Sequence, residues 1–183
     1  MTLQTRAALL TAAYYAVIFA ALGAHLPYWP TWLEHWGLST AEIGWYLGAA
    51  TVARIVGSTV IPAIADMWAI RRWIIVATSL ATVAAHLAHL WIETPGALLA
   101  GTLVVAVVMA PPIPIGEALG LGASERFGFA YAAVRAAGSI GFLLANIGVG
   151  AVLGETGLDV VLWLIVIGFS LVAAMGAIHP GGG

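Results

Sequence analysis

Glu117 and Arg135 lie nine residues before and nine after Arg126, the midpoint of the fourth predicted connection. If that segment turns between two antiparallel helices, the carboxylate and the guanidinium arrive at one depth and can pair. Each then sits roughly 6 to 10 Å inside its helix, at about 1.5 Å per residue. A guanidinium fork beside a carboxylate can hold hydroxyls, or another carboxylate, in bidentate fashion. Two readings stay open: an ion pair that ties one helix to the next, or a solvated pair facing a solute.

Other side chains with chemical potential are few. Arg54 lies fifteen residues after Ser39 and twelve before Asp66, with no acid within reach on its own helix, so it must look across a cavity or to another helix. His86 and His89 share a helical face at i,i+3 spacing. No third or fourth ligand accompanies them, so interfacial or interhelical hydrogen bonding is favoured over a metal site. His25 is a lone imidazole that either bonds to a neighbouring helix or carries a proton. Neither a metal nor a cofactor is expected. The absence of Cys removes disulfides, thiolate sites and a thiol nucleophile.

These residues are scattered through a very apolar chain. Of 183 residues, 62% are hydrophobic and 8% charged, too little polar surface to cover a water-soluble domain of this size. The charges comprise six Arg and eight carboxylates, a formal net of -2, which offers nucleic acid no broad surface to grip. The partner implied instead is a lipid bilayer.

A bilayer core takes about 20 mostly apolar residues per helix. Such runs occur at about 7–33, 40–65, 70–92, 96–121, 128–153 and 158–178, which predicts one all-α domain over residues 1–183 with six transmembrane spans and no soluble domain. Breaks between them carry turn and cap chemistry: Gly37-Leu38-Ser39 with Glu42 three residues on, Thr94-Pro95-Gly96, Gly120 to Gly128, and Gly154 to Asp159. The first run is long and five more follow it, so it reads as a span and not as a cleaved signal peptide. The eight Trp all fall near predicted span ends, where interfacial anchoring is their expected role.

Arg6, Arg71, Arg72 and Arg126 occupy the N-terminal tail and the second and fourth connections. Glu34, Glu93, Glu155 and Asp159 occupy the first, third and fifth. The positive-inside rule then places both termini in the cytoplasm of a bacterial-type inner membrane.

Arg54-Ile-Val-Gly-Ser in the second run is echoed by Arg135-Ala-Ala-Gly-Ser in the fifth. Two related three-span units would enter the membrane inverted, an arrangement common in secondary transporters. Coincidence in a Gly- and Ala-rich sequence is the alternative. Pro111, Pro112 and Pro114 interrupt the fourth run just before Glu117, and broken helices commonly line cavities.

Taken together, these residues resemble the N-terminal six-helix half of a major facilitator superfamily transporter. The branch is the one containing lactose permease, nucleoside-proton symporters and phenylpropionate-type permeases. The segment Ile61 to Arg72, with Asp66 closing the second span and Arg71 and Arg72 opening the third, is similar to the superfamily's loop signature. It departs from that signature at Pro62, Met67 and Ala69, the last replacing a customary Gly. Glu117 followed by Arg135-Ala-Ala-Gly138-Ser139-Ile140-Gly141-Phe142 resembles the branch's fourth and fifth helices.

The resemblance implies that Glu117, Arg135 and Phe142 bind solute, with Phe142 supplying an aromatic face. Arg54 joins that set as the second charge within a span, and Asp66, Arg71 and Arg72 form a conformational gate. It further implies proton-coupled movement of a sugar, nucleoside or aromatic acid. In that branch the proton-coupling residues lie largely in a second six-span half, so a separate chain or a second copy is the expected partner. Two other readings compete: a structural or regulatory membrane protein that keeps the half-fold, and an intramembrane serine protease built on Ser139. The protease reading fails for want of a His in the sixth span to activate the serine.

Overall fold

The computed structural model describes residues 1–157 and 159–181, without the side chains of residues 154–156. The Glu155 side chain therefore lies outside the described residues. Within lipid no water is available to satisfy backbone N–H and C=O groups, so apolar runs of this length close their own hydrogen bonds as helices. The helices are α1 (Leu3–His25), α2 (Trp29–His35), α3 (Thr40–Met67), α4 (Arg71–Ala88), α5 (Pro95–Met109), α6 (Pro112–Phe127), α7 (Tyr131–Thr156) and α8 (Asp159–Ala177). They form six segments long and apolar enough to cross a bilayer, namely Leu3–His35, Thr40–Met67, Arg71–Trp91, Pro95–Phe127, Tyr131–Leu153 and Asp159–Ala177. The described residues contain no strand.

Local chemistry sets the boundaries. Ser39 caps α3 by accepting the Glu42 N–H, while the Glu42 carboxylate accepts the Ser39 N–H at 2.8 Å. Gly128, at φ +74, ends α6 in the left-handed conformation that suits a residue without a Cβ. Two segments expected to be continuous are each divided. In the first, α1 gives way to α2 around Pro27 and Pro30; in the fourth, α5 stops at Met109 and α6 restarts at Pro112. Proline lacks the N–H that would extend the preceding helix and crowds the carbonyl four residues back.

The packing has an internal two-fold pattern. The first span packs most extensively on the fifth (α1 on α7), the second on the fourth (α3 on α5), and the third on the sixth (α4 on α8); further contacts join α1 to α8 and α4 to α5. Exchanging spans one to three for spans four to six returns the same set of pairs. The glycine three residues after each echoed arginine obeys the same exchange. A Cβ at Gly57 would run into the Val107 backbone of the fourth span, and one at Gly138 would strike the Phe19 ring of the first. The echo in sequence thus marks equivalent close approaches in the two three-helix units.

Burial follows from this arrangement. In α1, Tyr14, Tyr15, Ile18 and Leu22 are enclosed, whereas α3 and α7 turn large apolar side chains outward: Val52, Ile55 and Val60 from one, Ile140, Leu144 and Ile147 from the other. Surfaces so apolar face lipid or another protein. Trp45, Trp68, Trp73 and Trp91 are exposed near span ends, as interfacial anchors should be. Trp29 and Trp32 differ from that expectation: both are buried, with their rings stacked 4.7 Å apart, because Trp29 packs on His25, His86 and His89 and α2 packs on α3.

Candidate functional site

The tight turn between α6 and α7 sets Glu117 and Arg135 level, and Arg135 Nε donates to Glu117 Oε1 at 2.6 Å. The side chains remain 34% and 29% exposed respectively, so the pair is neither dry nor fully solvated. A surface pair of this kind adds little stability, and a dry one would carry a large desolvation cost. The second Glu117 oxygen, Oε2, accepts a hydrogen bond from the Tyr131 hydroxyl.

The first span completes the site. Tyr15 OH lies 3.1 Å from Tyr131 OH and 3.2 Å from the Gly116 carbonyl. Since Tyr131 gives its hydrogen to Glu117, the single hydrogen of Tyr15 is shared between Gly116 O and Tyr131 O. The Arg135 guanidinium carbon lies 4.1 Å from the Phe19 ring centre and 5.1 Å from that of Tyr15. Two aromatic faces and a carboxylate therefore fix the cation. Room for the tyrosines comes from the absent side chains of Gly116 and Gly120: a Cβ there would collide with the Tyr14 ring and the Tyr15 hydroxyl. Tyr14 OH donates to Pro112 O at 2.6 Å, on the α6 side of the break between α5 and α6.

Phe142 is not among the rings over Arg135. It follows Arg135 by seven residues on α7, about 10 Å along the axis, and its backbone packs against Gly23 of α1. The aromatic faces on Arg135 are those of Tyr15 and Phe19, two rings that the spacing of the charged residues does not single out. A signal was present: Tyr15 and Phe19 are spaced i,i+4, as are Tyr131 and Arg135, so each pair shares one helical face.

Arg54 stands apart from that pair. It lines a cavity of about 20 Å³, room for about one water, with His25, Trp29, Leu47, Thr102 and Met109 among its walls, and its buried Nε has no hydrogen-bond partner among the described residues. Beside it the histidines pack with tryptophans. His86 Nδ1 donates to Thr82 O at 2.8 Å and His89 Nδ1 to Ala85 O at 2.7 Å, which leaves both Nε2 atoms as acceptors in the neutral rings. His86 Nε2 is 3.3 Å from His25 Nδ1, so His25 donates there. His86 and His89 are buried, not interfacial, because α2 covers them with the Trp29 and Trp32 rings. Among the described residues no group of three His, Cys, Asp or Glu could hold a metal.

At the bundle end where α1 and α4 start, Arg71 Nε meets Asp66 Oδ1 at 2.5 Å across the turn between α3 and α4. Both side chains are exposed by about half. Arg72 is not part of that pair; it lines the clefts on either side of its helix start.

Comparison with known proteins places this geometry in context. A family model described as "MFS_1 like family" matches residues 9–180. A relative described as "Probable 3-phenylpropionic acid transporter", from Escherichia coli (strain K12), is 30% identical over 162 residues, 84% of this chain and 41% of the relative. The chain thus spans about two fifths of the length of the curated relative that it matches.

Proposed function

The chain belongs to the MFS_1-like family, and from that membership we propose that it is one six-span half of a secondary transporter for a small organic solute. On this reading Glu117, Arg135 and Tyr131 bind the solute. Arg54 supplies a second positive charge, and Phe142 adds an aromatic wall two turns deeper. The observation that carries it is the Glu117–Arg135 pair: two charges from separate helices, held by tyrosines and a phenyl ring, yet left about one-third exposed. Packing that fixes a cation without sealing it suits a ligand more than a purely structural tie.

An aromatic carboxylic acid is the solute class we favour. The relative is described as a "Probable 3-phenylpropionic acid transporter", and the Arg135 guanidinium with its aromatic neighbours suits an anionic head on an apolar ring. Movement is by proton symport and requires a second six-span half, supplied by further chain, by another protein or by a second copy. The Asp66–Arg71 pair, with Arg72 beside it, closes one mouth in one state and breaks in the other. The arginine-bearing ends face the cytoplasm of a bacterial-type inner membrane, in keeping with the distribution of basic residues.

Uptake of labelled 3-phenylpropionate by cells expressing the chain, with and without a protonophore, tests the proposal. Glu117→Gln and Arg135→Ala should each lower protonophore-sensitive uptake more than about tenfold at unchanged expression. Uptake that survives both substitutions would remove the assigned site.

A further inference from the structure

Glu117 is the one carboxylate that the described residues place inside a span; the others stand near span ends or between spans. Both of its oxygens are engaged: Oε1 accepts from Arg135 Nε at 2.6 Å, and Oε2 accepts from the Tyr131 hydroxyl. Tyr131 OH lies 3.1 Å from Tyr15 OH, which lies 3.2 Å from the Gly116 carbonyl oxygen. The titratable or charged side chains that meet Glu117 are Arg135 and Tyr131 from α7, with Tyr14 and Tyr15 of α1 within range of its charge. Helices α3 and α4 also touch α6, and among the described residues no ion pair or hydrogen bond runs from either to Glu117.

This chain of hydrogen bonds is reversible. With Glu117 ionised, Tyr131 donates to Oε2, and the Tyr15 hydrogen is shared between Gly116 O and Tyr131 O. With a proton on Oε2, the carboxyl donates to Tyr131, Tyr131 donates to Tyr15, and Tyr15 donates to Gly116 O. Oε1, then a carbonyl oxygen, still accepts from Arg135 Nε. Two hydroxyl rotations connect the states, and no bond is lost because the chain ends on a carbonyl, which only accepts. A chain ending on a donor would satisfy one state alone.

We propose that Glu117 carries the proton that accompanies an anionic solute. The assignment rests on the solute reading above, and it puts proton binding in this half, whereas the branch that the sequence resembles has it largely in the other. Among the described residues no hydrogen bond occupies the Nη groups of Arg135, and these receive the solute carboxylate. One guanidinium then faces two carboxylates in a partly buried site, and one proton from solution restores the balance. That proton forms an O–H bond at Oε2, and the solute stays a carboxylate. Solute and proton thereby strengthen each other's binding by the same factor.

The full chain in detergent is titrated calorimetrically with 3-phenylpropionate in two buffers of different ionisation enthalpy, which counts the protons taken up with the solute. About one proton per bound solute is expected, and affinity should fall about tenfold per pH unit above neutrality, as one-proton linkage requires. Glu117→Gln keeps an acceptor toward Arg135 and a donor toward Tyr131, and should bind with neither proton uptake nor that pH dependence. Infrared difference spectra on adding solute locate the proton: a new protonated-carboxyl band should stay in place when the solute carboxyl is isotope-labelled and should shift in Tyr131→Phe. Binding without proton uptake, undiminished uptake in Glu117→Gln, or a band that moves with the solute's label would overturn the assignment alone. Failure of the unaltered chain to bind 3-phenylpropionate would remove the solute reading and the assignment with it. Should Glu117→Gln not bind, the infrared band of the unaltered chain and its shift in Tyr131→Phe decide.

Discussion

The Phe19 ring lies 4.1 Å from the guanidinium carbon of Arg135, the cation whose Nε points at Glu117. Phe19 offers no hydrogen bond, yet its face restricts the plane in which the guanidinium can swing. A contact of this type is worth about 0.5 to 2 kcal/mol, or roughly 2- to 30-fold in binding. Phe19→Ala should weaken solute binding within that range, and Phe19→Tyr should restore most of it. Isothermal titration with 3-phenylpropionate checks both, and an unchanged dissociation constant for Phe19→Ala would show that the ring does not position Arg135.

A Cβ on Gly141 would run into the backbone of Ala16, where α1 and α7 approach closely. Gly148 lies two turns further along the same helix with nothing within 4 Å of its missing Cβ. Gly141→Val should therefore destabilise the chain by about 1 to 3 kcal/mol through overpacking. Gly148→Ala should be neutral or slightly stabilising, since Ala is the better helix former. Thermal midpoints in one detergent compare the two, and similar losses would mean that helix approach is not the constraint at Gly141.

Much of this architecture is legible in the residues themselves. Apolar runs of about bilayer length give the helical class and the number of spans, because lipid leaves the backbone no other solution. The equal spacing of Glu117 and Arg135 from Arg126 gives their level placement by arithmetic alone. The aromatic cover of Arg135 is not legible in that way. Tyr15 and Phe19 lie more than a hundred residues earlier in the chain, and only the packing of α1 on α7 brings them to Arg135. Trp29 and Trp32 misled for a related reason: position near a span end suggests an interface, but both rings pack against the buried histidines of the third span. Sequence periodicity reports which face of a helix is apolar, and not which neighbour meets it.

Ala69 adopts φ +55, a left-handed conformation, in the turn that brings Arg71 to Asp66. A Cβ there costs about 1 to 2 kcal/mol, while Gly would add about 0.4 to 1 kcal/mol of unfolded-state freedom. The balance predicts that Ala69→Gly raises stability modestly, by about 0 to 1.5 kcal/mol, although Gly is usually the destabilising choice. Ala69→Val should lower it, because a β-branched side chain fits that conformation poorly. Chemical denaturation of the two variants reads the ordering, and a Val variant as stable as the Gly variant would contradict the strained geometry.

Burial, reinforced by the Arg72 cation, pushes His179 down to about 4, so the imidazole is neutral at pH 7. In the unfolded chain the same group titrates near 6.5. Above about pH 6.5 neither state binds the proton and His179 adds no pH dependence. As the pH falls from about 6.5 toward 4 the unfolded state binds the proton first, so stability declines across that window and levels off below it. His179→Phe keeps a ring against Tyr14, whose centre lies 5.3 Å away, and removes the titration. The thermal midpoint of the unaltered chain should therefore fall more steeply between pH 6.5 and 4.5 than that of the variant, with the two running parallel above pH 7. Parallel curves through the acidic window would show that His179 is already solvated, or already protonated, in the folded protein.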